Sequence, residues 1–332
     1  MQRHHISLDE IAAPDNLREA FYAACRGKRH TPSVRAFAAS LHPRLAALRA
    51  ALLDETYRFG PYRTFVVYEP KRRIISVAPL GDRVAHHAVM RVCGPRLDAC
   101  AIHDSYACRA GKGAQRAVLR AQRYSRRFAW FLKLDIAKYF DTIDHGVLLG
   151  LLARRFKGAE ALRLFERILD SYQTAPGRGL PIGNLTSQHF ANDYLGALDH
   201  WLKEDRRCAG YVRYMDDFVL WGASRVHLRA ALRDIAAFLD TRLKLRLKEA
   251  TLLNHVNRGM PFLGYRVFPD HIELNRSSKR RFKHKFAAYE ARRRDGRWTE
   301  AETARRVEAL VAFTRFARAE GWRRAVIKEC CA

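Results

Sequence analysis

The sequence predicts an α+β fold of two or three subdomains, on three observations. Long stretches place apolar residues at helical spacing, short β-branched and aromatic runs interrupt them, and the C-terminal stretch turns into a basic helical pattern. At 332 residues, 48% of them hydrophobic, the chain can bury a real core and is too apolar to be disordered.

The elements follow in order. Leu41, Leu45, Leu48 and Leu52 mark one buried helical stripe. Tyr62 to Tyr68 and Arg73 to Val77 flank Glu69-Pro70-Lys71, which predicts a hairpin with a basic tip. Asp82 starts another helix, with Val84, Ala88 and Val92 on one side. Phe131 to Asp135 reads as a strand, a helix follows Asp144, and Leu148 to Leu169 is helical in period. Ala175 to Gly183 is a Gly- and Pro-rich loop, Leu185 to Glu204 is helical, and Tyr211 to Trp221 is strand, turn, strand. Leu228 to Leu239 returns to helix and Phe262 to Phe268 to strand. In residues 276–298, Phe282, Phe286 and Tyr289 form an apolar stripe, while Lys279, Lys283 and Arg292-Arg293-Arg294 point elsewhere. Thr299 and Glu302 make a capping-box pattern before a second helix with Val307, Leu310, Val311 and Thr314 on one face. The predicted division is 1–130, 131–275 (with 181–204 as a helical link) and a basic helical lobe over 276–332.

Charge narrows the function. Lys and Arg number 61 against 34 Asp and Glu, a net +27, which attracts polyanions and makes nucleic acid the expected partner. Ribosomal and membrane-surface proteins share such a balance, but 11% aromatic content argues against a tail-like binder. No apolar run is long enough to span a bilayer, and the start, MQRHHISLDE, has no secretory apolar region. The seven Cys match no zinc spacing and suit reduced thiols in a cytoplasmic protein.

Tyr214-Met215-Asp216-Asp217 is the sharpest feature: two adjacent carboxylates between two apolar strands, as at a tight hairpin tip. An isolated Asp-Asp is more often an Asx-type turn. A second acid, Asp135 at the end of strand Phe131-Leu132-Lys133-Leu134, shifts the balance. A carboxylate buried there is expensive unless a cation neutralises it. A strand-end Asp facing a hairpin Asp makes an oxygen-rich site for Mg²⁺, which keeps waters and accepts substrate phosphates. Two such ions about 3.5–4 Å apart clamp the attacking and leaving oxygens of an in-line phosphoryl transfer.

These motifs, in this order, resemble the palm of reverse transcriptases. Phe131 to Phe140 resembles the first catalytic motif, Tyr214 to Asp217 the second, and Pro261-Phe262-Leu263-Gly264-Tyr265 the primer-grip strand. Ser105-Tyr106-Ala107-Cys108-Arg109 with Gly111 and Gly113 resembles a fingers-palm motif. The resemblance implies a right-hand polymerase fold with fingers, a palm of antiparallel sheet packed on helices, and a helical thumb over residues 276–332. It implies two Mg²⁺, with Mn²⁺ able to substitute, held by Asp135, Asp216 and the Ile136 carbonyl, with Asp217 as third acid. Lys71 and Arg73 fall where the family contacts the incoming triphosphate, although a basic hairpin tip is also commonly a solvated face. Ile182, Gly183 and Gln188 fall near the nascent pair. Phe140 falls at the sugar-selecting position, where a bulky ring leaves no room for a 2′-hydroxyl; the alternative is a core Phe. Tyr214, Met215, Leu263, Gly264, Lys279 and Lys283 fall where primer and template are held.

Gly179-Leu180-Pro181-Ile182-Gly183-Asn184-Leu185-Thr186-Ser187-Gln188 narrows the resemblance. Most reverse transcriptases have Gln-Gly at its core and end it Ser-Pro; this variant is similar to enzymes of diversity-generating retroelements. Gly27-Lys28-Arg29, Gly60-Pro61-Tyr62-Arg63 and Glu69-Pro70-Lys71 are similar to that group too. That resemblance implies a bacterial or phage-encoded enzyme that copies a template-repeat RNA into cDNA and misreads adenines. It also implies dNTPs, an RNA–cDNA hybrid and a small basic pentameric helical accessory protein as partners. Ile182 lacks the donor and acceptor of the usual Gln and so loosens checking of the nascent pair, or it merely packs. A retron, abortive-infection or group II intron-like enzyme is the alternative, and a non-catalytic RNA-binding scaffold the second. His86-His87 reads as structural or RNA-facing, and Cys330-Cys331 as a frayed end.

Overall fold

The computed structural model describes residues 3–68 and 72–331, so Lys71 and the expected Glu69-Pro70-Lys71 tip lie outside the described residues. Mixed helix and sheet bears out the α+β expectation. The chain divides into two compact units, each assembled from three separate segments.

The first unit takes the chain up to His103, Ile136–Arg206 and Ile235–Lys248. Its core forms where helix Leu80–Cys100 meets helices Pro14–Ala24 and Leu185–Tyr194. Val84 and Ala88 are fully buried there, and Pro14 opens its helix where no N–H is needed. In helix Leu41–Leu53, Leu48 and Leu52 are buried while Leu41 and Leu45 are only partly so. Strands Arg63–Val67 and Arg73–Val77 pair antiparallel, with Phe65 opposite Ile75. His86 is buried and stacked on Phe59, with no hydrogen bond to either ring nitrogen, which settles it as structural. The continuous helix expected over 148–169 is broken. Helix His145–Arg155, capped by Asp144, gives way to strand Phe156–Lys157 beside His4–His5, then to helix Ala159–Asp170. The break requires glycine at 158: at φ 118° a Cβ there would lie 2.3 Å from the Ile6 carbonyl oxygen.

The second unit takes Asp104–Asp135, Arg207–Asp234 and the chain from Glu249 onward. Its centre is a four-stranded antiparallel sheet in the order Gly210–Tyr214, Asp217–Gly222, Trp130–Asp135, Leu252–His255. One face carries Phe131, Val212, Val219 and Trp221 and packs on helix Ala114–Arg127, where Trp221 Nε1 donates to Ser125 Oγ. The single strand expected over 262–268 is instead two. Met260–Phe262 and Tyr265–Val267 fold back on each other around Leu263 (φ 49°) and Gly264 (φ 91°), and Ile272–Leu274 completes a meander. Two consecutive left-handed residues turn the chain tightly enough for that hairpin. The basic lobe holds three helices rather than two: Arg276–Arg294, Glu300–Arg315 and Glu320–Cys331. The Thr299–Glu302 capping box forms as expected. Phe282, Phe286 and Val326 make a separate small core against which Cys330 packs, so this stretch continues a helix rather than fraying.

Candidate active site

The three acids named from sequence come together in the second unit. Asp135 and Asp217 are direct cross-strand partners at the ends of their strands. Tyr214 pairs with Asp217, which leaves Met215 and Asp216 as a two-residue hairpin turn. Tyr214, Asp217 and Asp135 therefore share one face of the sheet, at its rim. Burial pushes the Asp217 carboxyl up to about 6; the Lys133 ammonium opposes this, and the charges of Asp135 and Asp216 reinforce it.

Two basic residues organise this rim, and sequence reasoning passed over both. Lys133 stands two positions before Asp135, hence on the same face and diagonal to Asp217. Its Nζ lies 2.7 Å from Asp217 Oδ1, yet that oxygen accepts no well-aligned hydrogen bond. Arg213 sits on the opposite face and is fully buried, and its Nη1 donates to the Met215 carbonyl at 3.0 Å. Met215 holds φ 57°, a left-handed geometry that costs a residue with a Cβ about 1–2 kcal/mol. The Arg213 strand is fixed in turn by segment Asp104–Tyr106: Arg213 N donates to the Asp104 carbonyl and Tyr106 N to the Arg213 carbonyl. The Asp104 carboxylate is buried and bound by Arg120 Nε at 2.8 Å and by the Tyr124 hydroxyl at 2.8 Å. A charged residue inside an otherwise apolar strand was the available sign for Arg213, and strand alternation from Asp135 the sign for Lys133.

Elsewhere in this unit, Gly264 meets the last lobe, where a Cβ would lie 2.9 Å from Phe313 Cζ. Lys279 Nζ lies 5.9 Å over the Trp322 ring, and the exposed Lys283 is engaged by Glu329 at 2.5 Å.

The remaining named residues belong to the first unit, and a second grouping forms there. The Ile182 carbonyl accepts from Ser76 N at 2.8 Å, which seats loop 179–184 against the strand that carries Arg73. Gly183, at φ 122°, lies so close that a Cβ would stand 2.9 Å from Ile75 Cγ2 and 3.1 Å from the Ser76 carbonyl oxygen. Leu180 N donates to the Phe140 carbonyl at 2.7 Å, which places Phe140 beside the same loop. Phe140 is partly buried, its ring centroid 5.7 Å from that of Tyr139. Gln188 lies in the first turn of helix Leu185–Tyr194, partly buried. Arg73 is exposed, and Ile136 is buried and bridged to Leu247.

Residues 69–267 match the family described as reverse transcriptase (RNA-dependent DNA polymerase), and the chain belongs to that family. It is by class an RNA-directed DNA polymerase. Protein YkfC of Escherichia coli is 27% identical over 77% of this chain and 81% of its own length. The group II intron-encoded protein LtrA of Lactococcus lactis is 23% identical over 65% of this chain and 48% of its own. The putative COX1/OXI3 intron 2 protein of Saccharomyces cerevisiae is 23% identical over 64% and 32%. The chain thus spans about half of LtrA and a third of the yeast protein. Apo telomerase from Candida tropicalis shares the fold, with a TM-score of 0.50 at 11% identity over 66% of this chain and 49% of that one. Among the described residues no helix is long and apolar enough to cross a membrane.

Proposed function

We propose that the rim formed by Asp135, Asp216 and Asp217 is the polymerising centre, adding dNTPs to a primer 3′-hydroxyl on an RNA template. The observation that carries this reading is the direct cross-strand pairing of Asp135 with Asp217 beside a turn that holds Asp216. Among the described residues no three His, Cys, Asp or Glu side chains form a ready-made metal cage. Mg²⁺ binds through one or two carboxylates and completes its shell with water and substrate phosphate. The donor set fits: hard oxygen ligands, carboxylates that repel one another, and a Lys133 ammonium already beside one of them. Asp135, Asp216 and the Ile136 carbonyl would hold two such ions, with Mn²⁺ able to replace them. The bound ions supply charge neutralisation at the attacking and leaving oxygens. Lys133 keeps Asp217 turned along the sheet, so that this third acid stays beside the pair. Within the first unit, Arg73, Ile182, Gly183 and Gln188 would contact the incoming nucleotide and Phe140 would exclude a 2′-hydroxyl; within the second, Tyr214, Met215, Leu263 and Gly264 would hold the primer. In this reading the helices from Arg276 onward are the thumb, whose phosphate contacts by groups such as Lys279 and Lys283 hold the hybrid without reading sequence.

Primer extension on an RNA template tests this directly. Asp216→Asn should abolish synthesis while RNA binding is kept, and equal activity in the variant would refute the metal assignment.

The diversity-generating type is the finer reading, supported by Ile182-Gly183 and Ser187-Gln188 and by the entry motifs near Gly27 and Gly60. Adenine-directed errors and a small basic pentameric helical partner belong to it. Ile182→Gln should lower misincorporation opposite template adenine; an unchanged spectrum removes Ile182 from the explanation. A group II intron-like role is the second reading, favoured by the similarity to LtrA. A template-repeat and variable-repeat pair beside the gene would decide for the first.

A further inference from the structure

We propose that a cavity in the first unit, outside the polymerising centre, binds the phosphates of a single-stranded RNA segment and stacks one of its bases on Tyr22. The proposal rests on the polymerase reading only in taking RNA as the polymer at hand.

The cavity has a volume of about 310 Å³ and is lined by Glu19, Tyr22, Arg26, Gly27, Arg29 and Arg91. Its shape comes from the end of helix Pro14–Ala24. Arg26 N bonds back to the Ala23 carbonyl, Gly27 takes φ 73°, and Lys28 N bonds to the Cys25 carbonyl. This reversal sets Arg26 and Arg29 on either side of a glycine whose missing Cβ would meet nothing within 4 Å. Arg91 comes from helix Leu80–Cys100, oriented by a 3.0 Å bond from its Nε to Asn16 Oδ1. Arg83, one helix face nearby, donates to the Ala24 carbonyl beneath the turn.

Three guanidinium groups thus line one small cavity, and Glu19 is the sole acid among them. Among the described residues neither Arg26 nor Arg29 makes an ion pair. The crowding reaches His87, held below its ordinary value first by burial and then by Arg83, Arg26 and Arg91. Three like charges gathered around a single carboxylate raise the energy of the empty site, and an anion relieves it. Tyr22 decides what kind of anion. Tyr22 is 44% exposed, and the Arg29 guanidinium lies 6.0 Å from its ring centroid. An exposed aromatic face beside arginines is how single strands are held: the base stacks, and the backbone meets the charge. A free phosphate would leave the ring unused.

The test uses the full chain and a short fluorescein-labelled oligouridylate, read by anisotropy across a salt series. The variants are Arg26→Ala/Arg29→Ala and Tyr22→Ala, each checked by thermal melting. The double variant should lower the slope of log affinity against log salt by about 1.4, that is, about 0.7 for each phosphate that no longer meets an arginine. Tyr22→Ala should weaken binding on the order of ten-fold with the slope kept. DNA-primed extension on a short template should run at the wild-type rate in both. An unchanged slope in the double variant overturns the proposal. So does displacement of the oligomer by inorganic phosphate beyond what chloride of equal ionic strength achieves, which marks a small-anion pocket. Failure of the polymerase reading would show separately, as absent extension by the wild type.

Discussion

Arg213 Nη1 donates to the carbonyl oxygen of Met215 at 3.0 Å, from a side chain with no exposed surface. The bond crosses from the buried face of a strand to the back of a turn whose first residue is strained. Strain of this kind persists only where the surroundings over-determine it. Arg213→Lys keeps the charge but loses the planar fork. In single-nucleotide extension it should lower kcat by about ten-fold or more with little change in dNTP KM, because the turn that orients Asp216 loosens. A drop in melting temperature with kcat intact would instead make Arg213 a scaffold residue only.

Lys133 neutralises part of the carboxylate rim. Lys133→Met removes a positive charge 2.7 Å from Asp217, so a divalent cation meets less competition. The concentration of Mg²⁺ needed to half-saturate thermal stabilisation should fall, by about three-fold or more. The Asp217 carboxyl, already near 6, should titrate higher still in the metal-free protein, since the group opposing burial is gone. A higher Mg²⁺ requirement would contradict this account.

Gly183 is fixed by both backbone and neighbours. Gly183→Ala adds a Cβ 2.9 Å from Ile75 Cγ2 at a φ of 122°. Stability should fall by about 1–3 kcal/mol in urea unfolding, through displacement of the strand that carries Arg73. Substitution by Ala at Gly113, at φ 102° with open space around it, serves as the control for positive φ alone.

His86 makes stability depend on pH. Burial holds its imidazole down to about 3, against an ordinary 6.5. Between those values the unfolded chain carries a proton that the folded chain refuses, so unfolding free energy rises with pH across this window. The contribution is complete above about pH 6.5 and is lost progressively on acidification, roughly 3 kcal/mol by pH 4. His86→Phe, which keeps the stacking on Phe59, should flatten this acid limb in denaturant titrations. An unaltered pH profile would assign the limb to other groups.

The elements that sequence displayed well were those with a local cause. Strand Trp130–Asp135, the Asp216 turn and the Thr299 capping box follow from alternation, turn chemistry and cap spacing within a few residues. The departures share a different origin. The break at Gly158 depends on the Ile6 carbonyl, and helical period on both sides conceals it. The Leu263-Gly264 reversal looks like continuous strand because its flanks are equally apolar. At the candidate site, the acids were legible by type and spacing. Lys133 and Arg213 were not, because their roles come from cross-strand register and burial, which only the assembled sheet defines.

The sheet also dictates an order of assembly. Strand Trp130–Asp135 sits between Asp217–Gly222 and Leu252–His255, both of which lie far downstream. On the ribosome this apolar strand therefore emerges well before either neighbour exists, with both edges open. Nascent chains stalled before residue 217 should be sticky and dependent on chaperones, and release from that state should coincide with synthesis of the hairpin around Asp216.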